Sequence, residues 1–356
     1  MYLISNPDFG LKIPKSLFFL GLYLVAGSAG TLINGTSYFF YSAWKLLEMF
    51  SALSLGVLLY SYTEKLPEES SKLTYIYLSF LKLLVVAVLL NLIILQRASF
   101  TGYMEVGSQS GRLISRFPHI SPNELGILAA VIIGIFLSQK SRSLIDWMWF
   151  LLALVILVLS KGRAGILAVL VCLVMYSILH RNSLKGIFVF ALVFSLIMAL
   201  RDYIWSYLMR GESVYSIQTL SGRTIYWELG WNAFINGSFI QKLFGHGYAI
   251  GVRELVSTYA GETGTSFDND LLNALLSGGI FGTIFILLLY IRIIVLTFKN
   301  YKRCPVVLYV TLIFLIRAAT IANLSIFNFL VPFFIVYIVN LEVINSNEDF
   351  GFCLRL

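Results

Sequence analysis

Apolar stretches of about 17–25 residues recur along this chain, each long enough to cross a hydrocarbon core about 30 Å thick. No water reaches that core, so every backbone donor and acceptor there must find its partner within the protein. Only helices and closed barrels meet that demand. The stretches do not alternate apolar with polar residues as barrel strands would, and they read as helices. Composition agrees: 58% of residues are hydrophobic and 12% are charged, where a soluble domain carries roughly 25% charged residues. The expected fold class is an all-α integral membrane protein. Its first apolar run is followed by many others and lacks a small-residue cleavage site, so it reads as a retained helix.

Segmentation predicts ten helices, at 15–34, 42–62, 73–95, 123–139, 146–160, 165–180, 186–201, 270–297, 305–323 and 325–342. The tight spacing around 146–180 leaves a merged or re-entrant arrangement open there. The expected organisation is helices one to seven over 1–200, a large outer loop with amphipathic helices over 201–269, and helices eight to ten with a tail over 270–356. The loops TEKLPEESSK, KSRS, HRNSLK and KNYKR fall on one face, and their lysines mark it as cytoplasmic. Both termini share that face. Segments 96–122, 160–164 and 201–269 lie on the other.

Basic residues then sort by type. Inside are Lys12, Lys15, Lys65, Lys72, Lys140, Lys185, Lys299 and Lys302, with Arg142, Arg181, Arg303 and Arg355. Outside are Arg97, Arg112, Arg116, Arg163, Arg201, Arg210, Arg223 and Arg253, against Lys161 and Lys242. The positive-inside rule explains the first set and leaves the second without a cause. Guanidinium presents a planar fork that grips phosphate oxygens bidentately, so bound phosphate is the leading explanation. Snorkelling of arginines from helix ends to the headgroups is the plainer alternative for any one of them. Arg317 falls inside a predicted helix, where a charge faces the bundle or a cavity, and it reads as a further phosphate ligand. Lys45, with Glu48 three residues on, and Lys82 read as structural. The three cysteines, Cys172, Cys304 and Cys353, suggest neither a disulfide nor a metal site. The net charge of +8 is ordinary for a membrane protein with basic inner loops, and no nucleic-acid partner is expected.

Within the outer loop, SGRTIYWELGWNAF reads as an amphipathic helix with Ser221 as N-cap. Arg223, Trp227, Trp231 and Phe234 follow on one face. A tryptophan-rich face suits the membrane interface, or else packs down on the bundle. FGHGY (Phe244 to Tyr248) and GETGTSFDND then lead into the helix that starts near Asp270, with Asp268 just before its N-terminus. Asp268 there either caps the helix or faces an outer cavity. The DND of Asp268, Asn269 and Asp270 gives only a weak divalent-ion signal. Phosphate-cradling, nucleophile-elbow and zinc-binding signatures are missing.

Several short stretches together resemble one family. RLISRFPHISPNELG (Arg112 to Gly126) is similar to an "R-l-x-G-x-f-x-x-P-N-x-l" element, with Arg112, Pro122 and Asn123 matching. SKGRAG (Ser160 to Gly165) resembles an "S-x-s-R-[GA]" turn between two helices. SGRTIYW and FGHGY resemble the start and middle of a large periplasmic loop. FDNDLLNALLSGGIFG resembles the "H-N-x-x-L-x-x-l-x-x-x-G-i-x-G" entry to the next helix, with Asp268 where ligases carry histidine. The family is that of the O-antigen ligases and O-antigen polymerases, and the resemblance covers roughly 105–340.

This resemblance implies a fold like the C-type membrane glycosyltransferases, with about ten helices and one large periplasmic loop. It implies a glycosyltransferase of lipopolysaccharide or related polysaccharide biosynthesis, in the bacterial cytoplasmic (inner) membrane with its active site facing the periplasm. The substrate is oligosaccharide on undecaprenyl diphosphate, as donor and acceptor. Membrane lipid, a chain-length regulator and a flippase are the implied partners, and no cofactor is implied. Arg163, Arg223, Arg112, Arg317, Arg116 and Arg253 are the expected diphosphate ligands. Asp268 is the first candidate base and His246 the second. Trp227, Tyr248 and Asn269 are expected substrate or lipid contacts. The histidine replaced by Asp268 leans the reading toward a polymerase. A ligase acting on lipid A core and a flippase of lipid-linked oligosaccharide stay open.

Overall fold

The computed structural model describes residues 11–34, 39–65, 67–95, 100–101, 112–116, 119–139, 141–179, 188, 191, 195, 223–249, 269–320, 323–326, 328 and 330–346. Its helices are α1 (Lys15–Asn34), α2 (Phe39–Lys65), α3 (Pro67–Leu95), α4 (Pro122–Ser138), α5 (Leu144–Ser160), α6 (Arg163–Leu179), α7 (Arg223–Asn236), α8 (Phe239–Phe244), α9 (Asp270–Asn300), α10 (Val306–Thr320) and α11 (Val331–Ser346). The expected helix 186–201 lies outside the described residues except for 188, 191 and 195. Two short antiparallel ribbons precede α4: β1 (Phe100–Thr101) with β2 (Arg112–Leu113), and β3 (Ser115–Arg116) with β4 (His119–Ile120). Among the described residues the fold is all-α apart from these ribbons. Among the described residues, three helical stretches have the length and apolarity to cross a bilayer: Lys15–Asn34, Phe39–Glu64 and Asp270–Asn300. The remaining apolar helices are shorter.

Local chemistry sets several helix ends. Ser121 and Glu124 form a reciprocal capping box at the head of α4, with Pro122 at its first turn; Ser143 with Asp146 does the same for α5. Each box satisfies two amides that a helix start leaves without partners. The chain divides into two compact units. One comprises Met1–Tyr77, Arg223–Val307 and Ala318–Arg355, and the other Leu78–Gly222 with Leu308–Arg317.

In the first unit α1 packs along α9 and α2, and α11 packs on α2 and α9. Its interior is apolar, with Leu17, Leu20, Leu24, Ile286, Leu289, Phe334 and Ile338 fully enclosed. One charged pair crosses it. Arg292 bonds Glu342 at 2.9 Å, and Glu342 also accepts from the Ser16 amide at 3.1 Å and from its hydroxyl. A buried charge at membrane depth survives only with such partners. Lys45 and Glu48 form the expected ion pair, at 2.7 Å.

In the second unit α4 packs on both α5 and α6, and almost every α4 residue from Leu125 to Leu137 is buried. Cys172 on α6 faces Tyr309 of α10, its thiol 3.9 Å from that residue's carbonyl. Lys82 lies over the Trp149 ring, 5.6 Å from its centre. That placement uses the ring face to hold a cation and fits a structural role for Lys82.

The last two helices differ from expectation. The sequence predicts helices over 305–323 and 325–342, whereas α10 ends at Thr320 and α11 begins at Val331. Residues 323–326 form bends. The amides of Asn323, Leu324 and Ser325 point at the Asp270 carboxylate and so leave any helical ladder.

Candidate functional site

In the second unit the matching motifs converge. Arg112, at the start of β2, donates from Nη2 to Asn123 Oδ1 at 2.6 Å and from Nε to the Ser160 carbonyl at 3.2 Å. One guanidinium thus joins the PNELG element to the SKGRAG turn. Local geometry explains why these residues are needed. Lys161 closes α5 in the left-handed region at φ 48°. The Ser160 hydroxyl accepts from the Gly162 amide at 3.3 Å, so the turn is bonded to itself before α6 starts at Arg163.

Glycines let α4 and α6 approach almost backbone to backbone. A Cβ on Gly126 would stand 3.3 Å from the Gly162 Cα, and one on Gly165 would run into the Gly126 backbone itself. Two helix N-termini are thereby drawn together, those of α4 and α6, with Arg112 between their leading segments and Arg163 half-buried at the first position of α6. Helix N-termini carry partial positive charge. Two of them beside two arginines make a region suited to an anion.

Glu124 tempers that charge. Arg317 is wholly buried, and its Nη2 lies 3.9 Å from Glu124 Oε1. The placement makes Arg317 a counter-ion for the carboxylate that also caps α4. Of Arg116 only the backbone is described, in β3.

The first unit gathers the other candidates. Arg223 opens α7 and is half-buried. Trp227 and Phe234 pack with Tyr226, Ala233 and Leu272 against Leu276 of α9, while Trp231, its ring centre 5.7 Å from that of Phe234, is half-exposed. The packed reading of the tryptophan face thus holds for Trp227 and Phe234. Ser221, the expected cap of α7, lies outside the described residues.

FGHGY is a wedge. Gly245 and Gly247 have φ of 78° and 122°, and Ala249 has 58°. Opposite them α9 breaks its helical path at Gly279, where φ is 64°. The kink frees the Leu276 carbonyl to accept from the His246 amide at 2.7 Å. Asn34 Nδ2 donates to the Gly245 carbonyl at 2.8 Å, and the Tyr248 amide donates to Thr31 at 2.9 Å. A Cβ at Gly279 would collide with the Leu243 carbonyl, and one at Gly30 of α1 with the Phe244 carbonyl. His246 itself is half-buried. Tyr248 is fully enclosed, its ring 6.1 Å from that of Tyr23, which is a packing position.

Of the two acidic residues in DND, the structure describes the second. Asp270 is completely buried. Its oxygens accept from the amides of Asn323, Leu324 and Ser325 at 2.7, 3.1 and 2.9 Å, and from the hydroxyls of Ser325 and Tyr290. So many donors occupy both oxygens and tie the 323–325 bend to the head of α9. Asn269 is the N-cap of α9, accepting from the Leu272 amide at 3.0 Å. Asn269 is thus a cap of α9. Asp268 and Arg253 lie outside the described residues, as do Arg97, Arg201 and Arg210.

The structure thus brings Arg112, Asn123, Arg163 and the Glu124–Arg317 pair into one unit, and Arg223, Trp227, His246, Tyr248 and Asn269 into the other. Sequence reasoning missed Glu124 and Asp270. The capping-box spacing marked Glu124, but nothing local distinguishes Asp270 from Asp268, because its partners lie some fifty residues away.

Residues 148–287 match a family model described as O-antigen ligase. No curated protein and no solved structure matches the chain. The matched segment contains the SKGRAG turn, Arg223, FGHGY and the kinked head of α9. Over residues 148–287, then, the chain is similar to the O-antigen ligase family, in line with the likeness of its motifs to O-antigen polymerases and ligases.

Proposed function

We propose that this protein joins lipid-linked oligosaccharide repeat units into a surface polysaccharide at the periplasmic face of the bacterial inner membrane. The donor is glycan on undecaprenyl diphosphate. The observation that carries this reading is the meeting of Arg112, Asn123 and the Ser160–Arg163 turn, motif pieces separated by up to 48 residues in sequence. The match over 148–287 supports the glycosyl-transferring class. The organisation proposed with it is seven helices over 1–200, the periplasmic loop over 201–269, and three further helices over 270–356.

In the reaction, a hydroxyl oxygen of the acceptor sugar attacks the anomeric carbon of the donor. The bond from that carbon to the diphosphate oxygen breaks, and its electron pair leaves with undecaprenyl diphosphate. Arg112, Arg163 and Arg223 meet the charge that develops there, with Arg116 and Arg253 as further ligands, and Arg317 acts through Glu124. A preorganised donor of this kind is worth about 3–4 kcal/mol. The acceptor proton passes to Asp268, or to His246 as the second choice; positioned acid–base help adds about 10²–10⁴-fold. Attack opposite the leaving group inverts the anomeric configuration. With guanidinium groups meeting the charge, the scheme calls on no metal ion.

The test uses purified protein, synthetic undecaprenyl-diphosphate oligosaccharide and a chelator. A ladder of glycan lengths is expected. A single adduct on a second acceptor such as lipid A core would make the protein a ligase, and movement of lipid-linked sugar without covalent product would make it a transporter.

A further inference from the structure

Among the described residues, α7 and α8 present an exposed apolar surface. Trp231 and Ile235 stand four residues apart on α7, on the exposed flank beside the packed Trp227 and Phe234, with the Trp231 ring centre 5.7 Å from that of Phe234. Phe239 and Ile240 follow in the first turn of α8, and Phe239 is 76% exposed. The helices are stiffened at this point, because Ser238 and Gln241 form a capping box between them. Phe244, one turn beyond Ile240, meets Phe281 of α9 with ring centres 5.4 Å apart. Phe281 belongs to the exposed flank of α9 that runs on through Ile284, Leu287 and Ile291, the side a spanning helix turns to lipid. The apolar surface of α8 therefore continues the lipid-facing flank of α9.

Its level can also be read. α1 has 20 residues, about 30 Å at 1.5 Å per residue, which matches the hydrocarbon core. α8 ends against Gly30, with Asn34 bonding the Gly30 and Gly245 carbonyls together. Gly30 lies four residues from the end of α1, about 6 Å along the axis. Interfacial helices bury their apolar faces about 5–10 Å into the boundary of headgroups and acyl chains. Depth, continuity and residue type agree.

We infer that α7 and α8 lie in the membrane interface, with Trp231, Ile235, Phe239 and Ile240 inserted among the acyl chains of the leaflet surrounding the C-terminal end of α1. The occupant of the surface is the bilayer itself. Asn232 and Asn236, also exposed on α7, face the headgroups. The inference rests on α1 and α9 crossing the bilayer and on nothing about the reaction. It adds that Arg223, on the same helix, is held at headgroup level.

Nitroxide labels on single cysteines test it, in full-length protein with Cys172, Cys304 and Cys353 replaced by alanine. The protein is placed in vesicles of phosphatidylethanolamine and phosphatidylglycerol, three to one. Labels go at Phe239→Cys, Trp231→Cys, Phe281→Cys and Asn232→Cys. Oxygen should outcompete a water-soluble nickel chelate at 239, 231 and 281, and the order should reverse at 232. Chelate access at both 239 and 231 overturns the inference while 281 stays lipid-exposed. Low access to both reagents with spin–spin broadening would mean that a second copy covers the surface, which also overturns it. Chelate access at 281 would instead remove the bilayer assignment of α9. Agreement between 231 and 239 guards against a local disturbance by either label.

Discussion

Arg112 is held from two sides, by an amide oxygen and by a backbone carbonyl, so its direction is set before any ligand arrives. Preorganisation of this kind separates a catalytic cation from a merely nearby one. Arg112→Ala should lower kcat/KM by about 10²–10³-fold. Asn123→Ala leaves the guanidinium in place but loosens one anchor. A hydrogen bond to a charged group contributes about 1.5–3 kcal/mol, so a loss of roughly tenfold or somewhat more is expected. Asn123→Asp should recover part of it, because a carboxylate oxygen still accepts the bond. Steady-state kinetics on lipid-linked oligosaccharide measures all three, and full activity of Asn123→Ala would remove Asn123 as a positioning residue. The carboxylates at the head of α9 divide in the same manner. Asn269 caps α9, and Asp268 is the proposed base. Asp268→Asn should abolish product while leaving thermal stability unchanged. Asn269→Ala should cost about 1 kcal/mol of stability. If both variants only melt earlier, with turnover intact, Asp268 is not the base.

At the scale of elements, the wedge formed by FGHGY, α1 and the kink of α9 determines the first unit. Gly279 sits at φ 64° against the Leu243 carbonyl. A side chain there meets both the left-handed penalty, about 1–2 kcal/mol, and a clash with backbone that cannot swing aside. Gly279→Ala should therefore lower the midpoint of thermal unfolding in detergent markedly. Gly21→Ala serves as the control, since its Cβ would meet only Leu53 at 3.6 Å, and it should be neutral. Equal midpoints for the two variants would refute the wedge. Asp270 performs a related task between elements. It accepts from three consecutive amides and two hydroxyls, so Asp270→Ala strands buried donors. The expected cost is about 1–3 kcal/mol for each buried donor left without a partner, read from the same melts. Helix positions were legible because their apolar runs are long, whereas the capping boxes at Ser121 and Ser143 that set the starts of α4 and α5 were not singled out. The kink was not. Two adjacent glycines in an apolar run are compatible with a straight helix, and only the partner loop shows why they are there. The bend at 323–325 was hidden for the same reason, since an apolar sequence continues through it while a distant carboxylate removes its amides from any helix.

For the whole molecule, the division between lysine-bearing and arginine-bearing loops is a statement about sidedness, and it came from the sequence alone. Helix packing does not depend on which side of the membrane is which: the Arg112 anchor and the Asp270 latch would have the same geometry in either orientation. Sidedness instead comes from the rule that short cytoplasmic loops keep their lysines and arginines, and it decides whether Arg163 and Arg223 can meet a carrier lipid at the periplasmic face. Candidate residues were legible to the extent that motifs carried them, as with Arg112, Asn123 and Arg163. Trp227 and Trp231 were not separable, because helical spacing puts both on one face and only the packing against Leu276 divides them. Topology reporters test the orientation directly. Single cysteines placed at Ser141, Asn182 and Lys302 should be shielded from an impermeant maleimide in intact cells and become reactive on permeabilisation. Cysteines at Ser108, Lys161 and Ser213 should react without it. Reaction of position 161 only after permeabilisation would place Arg163 on the cytosolic side, where it could not receive a diphosphate carrier presented in the periplasm.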